Sequence, residues 1–268
     1  MAKKPDFIAQ IEHSSRRSFI KAASGLTVAG ILSQTASASG QDDDAIFEQS
    51  LELRRENNWS VSEWHSYLDE KGLEYYAGQT TAVDGSDSTL SQDKLDSTQS
   101  VFTYTYYDGS NYDSAELNWD HSAGDLDDFG EAPPDGATIA FSPDYYERTF
   151  EVEDWVYYGQ NAGDPNGFDS KDPDRGAACE FKDGLIPQDN DGYFGVRIEP
   201  NTLYSQNDRF LEFDYTHTWF KGEITGVSLG VGGPGVTFST ETKQWDYEKS
   251  FTESDLRDGV TRDPGQLF

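Results

Sequence analysis

Between residues 101 and 247 the chain alternates. In its plainest run Leu211, Phe213, Tyr215, His217 and Trp219 share one face, while Glu212, Asp214, Thr216 and Thr218 share the other. That two-residue period belongs to an extended strand with one face in a core. Residues 101–107 and 113–119 alternate in the same way around Asp108-Gly109-Ser110-Asn111, whose turn chemistry predicts a β-hairpin. Further strands are expected at 137–141, 149–158, 193–199, 222–231 and 236–247, separated by Gly, Pro, Asn and Asp. Roughly seven or eight strands with no helical period between them predict an antiparallel β-sandwich, jelly-roll-like, over residues 101–268. His217 falls on the core side and is expected to be a hydrogen-bonded core histidine.

Two short helices are expected ahead of the sandwich. Asp42-Asp43-Asp44 leads into a loose stripe of Ile46, Phe47, Leu51 and Leu53. Ser60 and Glu63 have the spacing of a capping box, Val61, Trp64 and Leu68 follow at helical intervals, and Gly72 supplies the stop. His65 flanks that stripe as a packing histidine. Residues 39–77 thus read as a helical hairpin, and 78–100, dominated by Ser, Thr, Asp and Gly, as a linker.

Residues 1–38 differ in character. Ser15-Arg16-Arg17-Ser18-Phe19-Ile20-Lys21 precedes a weakly apolar run and then Ala36-Ser37-Ala38. Together these parts resemble the twin-arginine (Tat) signal for export of folded proteins. The resemblance covers this segment only. It implies that the Tat translocase reads Arg16 and Arg17, that cleavage follows Ala38, and that the mature protein is secreted and extracellular. The apolar run is about 11 residues, short of the roughly 20 that cross a bilayer.

The chain holds 50 acidic against 20 basic residues; residues 1–38 carry two of the acids and five of the bases, which leaves 48 against 15, or −33. Such a charge repels itself in dilute buffer, and molar salt, with a Debye length of roughly 3 Å, screens it. In this the chain resembles haloarchaeal exported proteins. The acidity excludes nucleic acid as a partner, because phosphate binding needs Lys and Arg clusters. Disorder is the other state that such charge favours, but 16 Phe, 15 Tyr and 6 Trp supply enough apolar surface for a packed core.

Catalytic patterns are sparse. His65, His121 and His217 show no zinc spacing, no G-x-S-x-G elbow is present, and Cys179 has the surroundings of a small strand residue. Asp164, Asn166, Asp169, Asp189 and Asp191 place oxygens at short spacing beside glycines, as calcium coordination needs. No cofactor is required, and calcium is the ion these loops suit; plain acidic surface loops have the same composition. Tyr104, Tyr106, Trp119, Trp155 and Tyr157 would form a flat ligand platform if exposed, and part of the core if buried. Asn58-Trp59-Ser60 is a sequon for glycosylation at Asn58. Residues 222–239 form a hairpin whose Val227, Leu229 and Val231 are expected to face the sandwich core; the alternative is a membrane-inserting hairpin. The expected function is a non-enzymatic binding or interaction module for an extracellular ligand, a glycan or a cell surface. A halocin-like secreted antagonist and a hydrolase using paired carboxylates are the alternatives, and the oligomeric state is left unspecified.

Overall fold

The computed structural model describes residues 42–81, 100–121, 135–159, 169–181, 191–220, 224–232, 234–238 and 243–258. The Tat-like segment, with Arg16, Arg17 and Ala38, lies outside them. Helices α1 (Asp43–Asn57) and α2 (Val61–Lys71) come first, followed by β1 (Tyr75–Thr81), β2 (Ser100–Tyr107), β3 (Asp113–His121), β4 (Asp135–Phe141), β5 (Tyr146–Arg148), β6 (Val156–Tyr158) and β7 (Asp169–Asp172). Then come β8 (Gly176–Phe181), β9 (Asp191–Pro200), β10 (Phe210–Phe220), β11 (Ile224–Ser228), β12 (Gly235–Phe238), β13 (Lys243–Thr252) and α3 (Glu253–Asp258).

The strands pair antiparallel throughout and make two large sheets and a two-stranded one, β11-β12. The first runs β1-β2-β3-β9-β5, with β6 also on β9; the second runs β13-β10-β4-β8-β7. Pairs such as β3 with β9 and β4 with β10 join distant parts of the chain, because successive strands change sheets, as in a jelly roll. The alternation seen in the sequence builds the space between them. Phe102, Tyr104, Tyr106, Leu117, Phe194 and Val196 from the first sheet meet Ile139, Phe141, Leu211, Phe213, Tyr215 and Phe251 from the second. Phe102 stacks on Tyr247 at 4.1 Å, and Tyr104 packs against Phe213 and Phe251. Each such ring buries about 150–250 Å², a gain of a few kcal/mol.

A second core lies outside the first sheet. Phe47 and Leu51 of α1 and Trp64 and Leu68 of α2 pack on Tyr75, Tyr107, Tyr157 and Tyr193. The helix ends follow local chemistry: Ser60 and Glu63 complete the capping box, and Gly72 closes α2 at φ 76°.

Several expectations are corrected. The boundary drawn at residue 78 falls inside β1, which pairs with β2 from Tyr75↔Tyr107 to Thr81↔Val101. Backbone pairing to an aromatic neighbour holds this polar edge strand, and side-chain composition does not signal it. The helices are therefore a third layer on the sheet. Of the 149–158 run only β6 is a strand, the 236–247 run divides into β12 and the start of β13, and α3 has no counterpart among the expected elements.

Gly176 opens β8 at φ 131°, and a Cβ there would lie 2.1 Å from the Ile139 carbonyl oxygen. Gly176→Ala is expected to cost about 2–3 kcal/mol. Gly226→Ala, whose Cβ would meet nothing nearer than Thr237 Cβ at 4.0 Å, should stay within about 1 kcal/mol of wild type. Urea midpoints in molar NaCl, compared at equal slope, check the contrast; equal shifts would contradict it.

Candidate binding site at the helical corner

The corner between α1 and α2 is made by Asn58, held at φ 56°. Trp59 N donates to Arg54 O at 3.1 Å, and Ser60 then caps α2. This places Trp59 half-buried at the turn, its ring 5.3 Å from that of Tyr67. Asn58 is exposed, while the Ser60 hydroxyl of the sequon is taken up by the cap.

Beneath the corner sits Arg54, 3% exposed. Its Nη1 donates to Glu116 Oε1 at 2.7 Å and its Nη2 to Asn118 Oδ1 at 2.6 Å. The guanidinium lies between the rings of Trp64 and Tyr193, 4.6 and 3.7 Å from their centroids. Next to it, Arg55, Asn58, Trp59, Gln79, Asn118, Asp120 and Tyr193 surround a cavity of about 100 Å³, with Trp119 contributing an edge. Gly192 allows that edge: a Cβ there would lie 2.5 Å from Trp119 Cζ2. One water needs about 10–15 Å³ of such space, so the cavity suits one small ring with its substituents at the mouth. The pairings Thr81↔Val101 and Asp120↔Asp191 mark this end of the first sheet. Contact of Trp119 with Tyr215 at 5.4 Å brings the second sheet to the same end.

His65 lies nearby but serves packing. Its Nε2 is 2.9 Å from Thr105 Oγ1, its ring lies against Trp64 and Tyr75, and burial, with the charge of Arg54 adding, lowers its pKa to about 3. The ring is therefore neutral.

At the opposite end of the sheet, a wider concavity of about 380 Å³ lies between the β2–β3 turn, Glu199, Thr202, Arg209, Glu253 and Arg257. Both arginines there are paired. Arg257 Nη1 lies 2.6 Å from Asp108 Oδ2, and Arg209 Nε donates to Glu253 Oε2 at 2.7 Å. Asp113, 5% exposed, receives the Tyr106 hydroxyl. Burial raises its pKa to about 7, Asp108 and Glu253 push the same way, and Tyr106 and Arg257 oppose them.

The expected aromatic platform is not formed. Tyr104, Tyr106, Trp119, Trp155 and Tyr157 are 1, 0, 4, 6 and 4% exposed, because both faces of the first sheet are covered, one by the second sheet and one by the helices. His217 is the hydrogen-bonded core residue its position implied: its Nδ1 is 2.8 Å from Asp135 Oδ2, which also accepts from Tyr215 Oη at 2.9 Å.

Asp164, Asn166 and Asp189 lie outside the described residues. Asp169 and Asp191 open β7 and β9, strands of different sheets, and their side chains are also outside. Among the described residues no group of three His, Cys, Asp or Glu side chains is spaced to hold a metal ion.

The hairpin is corrected too. Val227 and Leu229 are only half-buried, against a small cluster of Ala178 and Val236 on the outer face of the second sheet. Leu229 is therefore no core residue. β11 and β12 are five and four residues long, where a membrane-crossing strand takes roughly 9–11. By roofing the second sheet the hairpin helps bury Glu212 and Asp214, which alternation places on the face opposite the core.

Little of the corner site is signalled by the sequence. Asn58-Trp59-Ser60 marks the turn, but nothing joins it to Gln79, Asn118, Asp120 and Tyr193, which come from β1, β3 and β9.

No family model and no curated protein matches the chain. Among solved structures, a chain from work on pH-induced modulation of Streptococcus parasanguinis adhesion by Fap1 fimbriae covers 70% of this chain and 94% of that chain, with 9% identity and a TM-score of 0.32. A likeness of that size carries no argument about fold or activity.

Asp113 yields a pH prediction. A carboxyl whose folded pKa lies above its unfolded value of 3.8 binds a proton on folding. Its contribution to stability is complete below 3.8 and is lost as pH rises through about 7. Asp113→Asn, which keeps an oxygen for Tyr106, should therefore gain thermal midpoint relative to wild type between pH 4 and 8. A difference that is flat across that range in molar NaCl would contradict the assignment.

Proposed function

We propose that this is an exported extracellular protein whose sandwich acts as a binding module, and that the corner cavity takes a sugar ring of a glycan. The observation that carries the reading is the make-up of that cavity. A half-buried Trp59 offers an aromatic face, and Asn58, Gln79, Asp120 and Arg55 place amide, carboxylate and guanidinium groups around it. A sugar ring has an apolar face to lay on an aromatic ring and hydroxyls to meet planar polar side chains. The site stands on rigid elements, two capped helices and a paired sheet.

Two outcomes test the proposal. In molar NaCl, calorimetric titration of the protein with a panel of neutral, acidic and amino oligosaccharides should find a binder. Trp59→Ala should weaken that binder at least tenfold, about 1.4 kcal/mol, with the near-UV circular dichroism of the core retained. A panel without a binder, or full affinity in Trp59→Ala, would overturn the reading.

Export rests on the Tat-like segment. Replacing Arg16-Arg17 with Lys-Lys should hold the protein inside the producing cell, as an immunoblot of cells and medium would show; undiminished secretion would refute it.

A further inference from the structure

On the outer face of the second sheet the register sets Thr138, Asp214 and Glu248 side by side on β4, β10 and β13, with Ser250 opposite Glu212 one step along. Asp214, Thr138 and Ser250 are 4, 0 and 0% exposed. Thr138 Oγ1 and Ser250 Oγ have no hydrogen-bond partner among the described residues. Asp214 is hardly better matched. Thr216 Oγ1 lies 3.4 Å from Asp214 Oδ2 but 2.9 Å from Asp246 Oδ1, and its single proton goes to the nearer acceptor. A buried carboxylate with one long contact thus shares a face with two buried hydroxyls that have none among the described residues, which native structures rarely leave without a cause.

We propose that Asp214, Glu248 and Thr138 hold a hard, oxygen-seeking cation, Ca²⁺, beneath the β11–β12 hairpin. Facing side chains on paired strands have Cβ atoms about 4.5–5.5 Å apart, and Ca²⁺ binds oxygens at about 2.3–2.6 Å. An ion lying between Thr138 and Asp214 therefore reaches both. The set has two carboxylates and not three acidic ligands, and the unmatched Thr138 hydroxyl supplies the third oxygen group. A proton is the competing neutraliser: burial, then Asp246 and Glu248, hold the Asp214 carboxyl well above the usual carboxylate range. One proton, however, leaves Glu248 charged beside Asp214, whereas a divalent ion answers Asp214, Glu248 and Thr138 and offsets the neighbouring negative charges at once.

The hairpin closes over this set. Gly232 N donates to Glu212 Oε2 at 2.7 Å, and the Gly235 backbone passes so close that a Cβ there would lie 3.2 Å from Asp214 Oδ2. Binding the ion also seats the hairpin on the second sheet, whereas the corner cavity lies on the first.

The test uses the whole protein, stripped with EGTA and dialysed against CaCl₂ in molar NaCl, with bound calcium counted by atomic emission. Wild type should retain calcium, and its thermal midpoint should rise with calcium concentration by mass action. Asp214→Asn should retain less calcium per chain and lose that rise, and Thr138→Val, which keeps the side-chain shape, should weaken the ion at least tenfold. An Asp164→Asn/Asp189→Asn double variant should keep this ion. Equal calcium content in wild type and Asp214→Asn, or no calcium on the wild type at millimolar concentration, would overturn the proposal. Should Asp214→Asn fail to fold, unchanged affinity in Thr138→Val overturns it equally.

Discussion

The buried pair of Arg54 and Glu116, 3% and 1% exposed, is the contact on which the arrangement of the three layers depends. Taking both charges out of water costs several kcal/mol per ion, and their attraction repays this only with good geometry and further hydrogen bonds. Arg54 has both: Asn118 accepts from its second nitrogen, and two aromatic rings cover its faces. The same face of α1 repeats the device. Glu48 takes a bidentate contact from Arg197, with distances of 2.6 and 2.7 Å, and Asp44 accepts from Tyr107, Ser110 and Asn111. An apolar helix face could slide along the sheet with little penalty. Here each charge meets its own strand or turn, and a shift would leave a buried ion unpaired, so the helix has one register and the corner has one position.

The acidity of the chain works inside as well as on the surface. Many of its buried rings are tyrosines, each with a hydroxyl to satisfy, and carboxylates accept them: Asp113 for Tyr106, Asp44 for Tyr107, Glu48 for Tyr112 and Asp135 for Tyr215. A core built this way is aromatic in area and acidic in its hydrogen-bond acceptors. Its cost shows in the raised pKa values of Asp113 and Asp214, where burial outweighs the bonds on offer.

The two sheets are covered in opposite styles. Two capped helices cover the first with rings and ion pairs, with a small cavity at their turn. The second carries a short glycine-containing hairpin over a face of carboxylates and hydroxyls, with a minimal apolar contact of Ala178 and Val236. Among the described residues both covers leave buried oxygens without a hydrogen-bond partner, Glu116 Oε2 under the helices and Thr138 Oγ1 and Ser250 Oγ on the outer face of the second sheet.

The alternation of β2, β3, β9 and β10 is legible in the amino-acid sequence alone, because a two-residue period states directly which side chains share a face. So are the capping box at Ser60 and Glu63, the stop at Gly72 and the core position of His217, all of which rest on contacts a few residues apart or on that same period. What lies over each face is not legible in this way. Glu212 and Asp214 alternate like a solvent face, yet a hairpin from residues 224–238 covers them, and Tyr157 has the pattern of a platform residue, yet α1 covers it. Nor does composition disclose β1, whose place comes from backbone pairing with β2, or the meeting of Trp59 with Gln79, Asn118 and Tyr193. Local sequence determined the period and the ends of the elements because those depend on neighbouring residues; only the tertiary structure decided burial, partners and the sites, because those depend on which distant segment comes to rest on each face.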